Sequence, residues 1–79
     1  MTKEQRLKKA IEIAQESIYD TAVYLGRWNG YNVFEPTFTD DKEHIIGIPQ
    51  FILEWNGTFR WTNNTAVSFA IMDAFPSKE

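Results

Sequence analysis

The chain has 79 residues, no cysteine, 43% hydrophobic and 15% aromatic residues, and a formal charge of −3. That length holds one domain, residues 1–79, of a size that buries only about 60% of its unfolded surface. Without a thiol there is no disulfide, no redox pair and no cysteine-ligated zinc.

No apolar run approaches the roughly 20 residues of a membrane span, and the opening residues do not read as a signal peptide. A small acidic cytoplasmic protein with no membrane partner is expected. Residues 1–9 carry Lys3, Arg6, Lys8 and Lys9 against Glu4, whereas residues 10–79 hold 4 basic and 10 acidic side chains. An acidic body repels phosphate, on which duplex binding rests, so no nucleic acid is expected either. The basic start then reads as a solvated, frayed helix end.

Leu7, Ala10, Ile11, Ala14 and Ile18 step by three and four, which predicts a helix over about 3–20. Thr2 with Gln5 offers it a loose capping box. Val23–Trp28 and Tyr31–Glu35 flank Asn29-Gly30, the strongest short hairpin signal because both central turn residues need positive φ. Pro36 is expected to end that hairpin, and Thr37–His44 to form a polar connection. The turn returns at Asn56-Gly57, joining Ile46–Trp55 to Thr58–Thr62. Asn63, Asn64 and Thr65 are helix-start residues, and Val67, Ala70, Ile71 and Ala74 repeat at helical spacing. They predict a helix over about 65–75, closed by Pro76. The result is an α+β domain: an N-terminal helix, two β-hairpins forming a four-stranded antiparallel sheet, and a C-terminal helix.

Counting outward from the turns places Tyr24, Gly26, Trp28, Tyr31 and Val33 on one face of the first hairpin. Val23, Leu25, Arg27, Asn32 and Phe34 take the other. In the second hairpin Phe51, Leu53, Trp55, Thr58 and Arg60 oppose Ile52, Glu54, Phe59 and Trp61. An antiparallel sheet with one wet face alternates cleanly, and this one does not. Two short helices are expected to cover one face, leaving the other for a second copy, a protein partner or a ligand. Trp28, Tyr31, Trp55 and Trp61 are the candidate interface anchors, since Trp and Tyr dominate such contacts.

Signals for chemistry are weak. His44 follows Asp40, Asp41 and Glu43, but there is no EF-hand spacing and no second histidine, so no metal is expected. Ser17, Ser68 and Ser77 lie outside any nucleophile elbow, and the glycines form no phosphate loop. A carboxylate pair such as Glu35 with Glu54 depends on geometry.

Gly47-Ile48-Pro49-Gln50-Phe51-Ile52-Leu53, followed by Asn56-Gly57, a strand and a helix, resembles the C-terminal ββα unit of thioredoxin-like proteins. There a Gly-Ile-Pro step holds a cis-proline beside the active site. The likeness covers about 30 residues. A hairpin stands upstream where that family has strand–helix crossovers, and thiol exchange needs a thiolate this chain lacks. The expectation is a non-catalytic protein-interaction or oligomerisation module without cofactor, pairing with itself or with another protein. The alternatives are a thioredoxin-like shape without redox cysteines, or a small enzyme or ligand-binding protein with an aromatic-lined pocket.

Overall fold

A computed structural model describes residues 2–39, 50–62 and 64–75. The elements are α1 (Lys3–Gln15), β1 (Thr21–Trp28), β2 (Tyr31–Thr37), β3 (Ile52–Trp55), β4 (Thr58–Trp61) and α2 (Thr65–Ala74). The four strands form one antiparallel sheet in the order β1-β2-β3-β4. The acidic stretch with His44, and Pro49, lie outside the described residues.

Both hairpins turn on Asn-Gly, as the sequence predicts. Asn29 and Gly30 have φ of 49° and 84°, and Asn56 and Gly57 have 51° and 83°. Those left-handed angles suit the right-handed twist of the flanking strands. Because β2 and β3 run antiparallel, the two turns sit side by side at one end of the sheet.

Several boundaries differ from expectation, and β1 begins at Thr21 instead of Val23. The first helix ends at Gln15 instead of running to about residue 20. Ser17 N–H closes a tight last turn onto the Ala14 carbonyl, and Asp20 N–H already bonds the Thr37 carbonyl of β2. Entry into the sheet therefore competes with the helix and wins. Tyr19 turns into the core while Ile18, counted in the stripe, is 67% exposed. The second strand continues through Pro36, which pairs with Ala22. Among the described residues β3 pairs with β2 only from Asn32 to Phe34. Among the described residues no strand pairs with that side of β2 beyond Phe34, and proline is tolerated where no ladder hydrogen bond is needed. The third strand begins at Ile52; residues 46–49 lie outside the described set.

The register shifts between Tyr24 and Gly26. Leu25 is an extra residue, so Tyr24 pairs with Phe34 while Gly26 pairs with Val33. Strand alternation from the turn is correct as far as Gly26 and inverted beyond it: Tyr24 and Ala22 share the face of Phe34. The second hairpin keeps its expected register throughout.

The largest correction concerns the layers. Val33 and Phe34 are consecutive, so they leave β2 on opposite faces. Phe34 packs with Ala10 and Ala14 of α1, Tyr19, Ala22 and Ile52. Val33 packs with Ile71 of α2, Phe51 and Leu53. The helices therefore cover opposite faces, and neither face of the sheet is helix-free. Asn64 caps α2 through its side chain, and Ser68 donates to the Thr62 hydroxyl at 3.0 Å, tying the helix start to the end of β4. At the other end, the Phe75 ring lies where a side chain at Gly26 would be: an added Cβ would sit 2.9 Å from it. With φ at +146°, Gly26 is constrained twice. Gly26→Ala is expected to lower the urea unfolding free energy by about 1–3 kcal/mol; an unchanged midpoint would mean that the bulge accepts a side chain.

Candidate functional site

Glu54 lies on the α1 side of β3, between Ile52 and the turn, and is 1% exposed. A carboxylate there needs partners, because burying an unpaired charge is prohibitive. Its cross-strand neighbour Asn32 donates from Nδ2 to Oε1 at 2.6 Å. The Gly57 N–H, turned inward by the hairpin, donates to Oε2 at 2.7 Å. From above, Arg6 of α1 brings Nε within 3.2 Å of Oε1, without the alignment of a hydrogen bond. Burial by itself raises the carboxyl, but the Asn32 amide, the Gly57 N–H and the Arg6 charge together hold it below the usual carboxylate range.

The network extends outward. Tyr24 Oη donates to Asn32 Oδ1 at 3.0 Å, so Asn32 accepts on one side and donates on the other, which fixes its amide orientation. Lys3 Nζ stands 5.9 Å from the Tyr24 ring centroid, within cation–π reach. On α1, Arg6 and Leu7 precede Ala10 by four and three residues, and Lys3 precedes Leu7 by four. The side of the helix that is alanine over the core is thus basic near its start.

That start is neither frayed nor wholly solvated, contrary to the sequence reading. Thr2 Oγ1 accepts from Gln5 N–H, and Gln5 Oε1 accepts from Thr2 N–H, the full capping box. Between α1, β1 and β2 lies a groove of about 380 Å³ lined mainly by Lys3, Arg6, Leu7, Tyr24, Asn32 and Phe34. A second recess of about 270 Å³ lies by the two hairpin ends, lined by Arg6, Arg27, Asn32, Glu54 and Trp55 among others. Arg6 and Asn32 line both, so the two adjoin.

The four aromatic candidates do not form one surface. Trp28 and Tyr31, a cross-strand pair, are half-buried on the α2 side. Trp61 is half-buried on the α1 side, its ring stacked on Tyr19 at 6.1 Å. Trp55 shares the α2 side with Leu53 and is 60% exposed. Glu35 and Glu54 lie on opposite faces of the sheet, so they form no acid–base pair; burial raises the Glu35 carboxyl. Among the described residues no three His, Cys, Asp or Glu side chains gather as a metal site, and no helix is long and apolar enough to cross a membrane. The groove residues Lys3 and Arg6 were read only as charge. Their signal was the helical spacing to Ala10, together with an acid on a strand face otherwise apolar.

A carboxyl held below its ordinary range in the folded state stabilises the fold above that range. The contribution is lost as pH falls through the lowered value. Glu54→Gln should therefore cost about 1–3 kcal/mol at neutral pH, and the gap to the parent should close in acid, where the parent's own carboxylate is protonated. Urea melts at both pH values check this. Compared with known protein families, with curated proteins and with solved structures, the chain matches none of them.

Proposed function

We propose that this is a small non-catalytic interaction module of the cytosol that pairs with a second copy of itself through the outer side of α2. The observation that carries the reading is the composition of that helix. Val67, Ile71 and Phe75 face the sheet, yet Phe69 and Met72 on the outer side are 50% and 43% exposed. The only charge in α2 is Asp73. A helix apolar on both sides is built to be covered on both.

A twofold arrangement fits this surface. Phe69 and Met72 are one turn apart, beside the small, exposed Ala66 and Ala70. An antiparallel copy can set large side chains against small ones with little like charge to oppose it. Pairing also adds stability that a cysteine-free domain of this size lacks. Trp55, exposed on the same side of the sheet, is the one original anchor free to contribute at a rim. The non-catalytic reading is supported by Glu54: a carboxylate already saturated with donors is a poor proton donor near neutral pH.

Light scattering at micromolar concentration should give a particle of twice 9.2 kDa. Phe69→Asp should weaken pairing by about 2 kcal/mol or more and leave a folded monomer by circular dichroism, whereas Ile71→Asp should unfold the chain. A parent protein that scatters as a single 9.2 kDa chain would overturn the reading.

A further inference from the structure

We infer that the groove beneath the first turns of α1, together with the adjoining arginine recess, binds a small amphipathic carboxylate. The ligand would carry an aryl or alkyl body and one acidic head. The groove lies on the face of the sheet opposite α2, and only Trp55, at the margin of the adjoining recess, is shared with the pairing proposed above.

The apolar part comes first. Leu7, Tyr24 and Phe34 line a groove of about 380 Å³, within the roughly 300–1,000 Å³ typical of small-ligand pockets. The Tyr24 and Phe34 rings are tilted against each other with centroids 5.3 Å apart. Tyr24 is 37% exposed, and its hydroxyl is held by Asn32. A flat hydrocarbon body laid on the Tyr24 ring and Leu7, with the buried Phe34 ring behind them, removes apolar area from water on both partners.

The polar part adjoins it. Lys3, Arg6 and Arg27 stand around the two cavities against Glu4 and Glu54. Glu54 is occupied by Asn32, Gly57 and Arg6. A locally basic recess in a chain of net charge −3 is an arrangement that selects anions.

The arginines also have capacity left. Arg6 touches Glu54 through Nε alone, and its other guanidinium nitrogens have no hydrogen-bond partner among the described residues. Arg27 gives one hydrogen bond, Nη2 to the Gly30 carbonyl at 3.3 Å. A planar carboxylate matches the donor fork of a guanidinium better than any neutral group does. A purely polar anion would leave the aromatic wall wet, and a neutral hydrocarbon would leave the forks unused. Only a molecule with both parts uses both cavities.

The test is titration of the full chain, ¹⁵N-labelled, with 3-phenylpropionate. Saturable shifts are expected at the amides of Tyr24, Asn32 and Phe34 and at the Arg27 side chain. The neutral counterpart 3-phenylpropanol, and acetate, which lacks the apolar body, should each bind at least about tenfold more weakly. Arg27→Gln should weaken 3-phenylpropionate by about tenfold without lowering the melting temperature, since Arg27 is exposed and outside both cores. Equal binding of acid and alcohol, shifts confined to α2, or inorganic phosphate binding as tightly as the acid would each overturn the assignment.

Discussion

Val33 and Phe34 follow one another on an inner strand, and water reaches neither: they are 0% and 2% exposed. Consecutive strand residues point to opposite sides, so this pair alone requires a covering layer on each face of the sheet. Among the described residues two helices supply those layers, one before the sheet and one after it. Everything else adapts to that demand. The first helix must stop early enough for Tyr19 to turn inward, and the second must cross from the end of β4 towards Gly26 of β1. A domain this small has little apolar area to divide, and dividing it between two cores leaves each thin. The outer residues of α2 show how little remained to close the second one.

The Arg6–Glu54 pair belongs to the same logic. Two hydrogen bonds and a nearby charge outweigh the desolvation of the Glu54 carboxylate, although a well-packed apolar group of the same shape would cost the fold little in its place. The pair's effect is positional. The fully buried residues of α1 are Ala10 and Ala14, flanked by Leu7, Ile11 and Ile13, and the small alanines do little by themselves to fix the helix along the sheet. A charge that must meet one buried partner adds that constraint. The tyrosine and asparagine that complete the network also shape the wall of the adjoining groove. Helix placement and groove geometry therefore depend on the same few atoms.

Much of the architecture was legible in the residues. Asn-Gly between β-formers marked both hairpins, and apolar spacing marked both helices, because these are local signals with local causes. What escaped depended on distance. Periodicity shows that a helix has a stripe but not which side of the sheet receives it, so the opposite placement of α1 and α2 was not readable. A bulge inserts one residue without changing composition, and Leu25 looks like any strand leucine. The groove was missed for a related reason. Arg6 looks solvated until Glu54, 48 positions later, is seen to be buried beneath it.

The bulge has a meaning beyond register. Among the described residues β1 and β4 are the two edges of the sheet, and an open edge is a template on which another chain can add a strand. β4 offers only four residues, with Arg60 among them. β1 is twice as long and carries exposed Val23 and Tyr24, the more dangerous of the two. Gly26 interrupts its ladder midway and increases its local twist, so the edge presents no long, flat row of donors and acceptors. A glycine that accommodates the Phe75 ring on one side thereby guards against fibre formation on the other. An edge interrupted in this way is a poor template for open-ended strand addition.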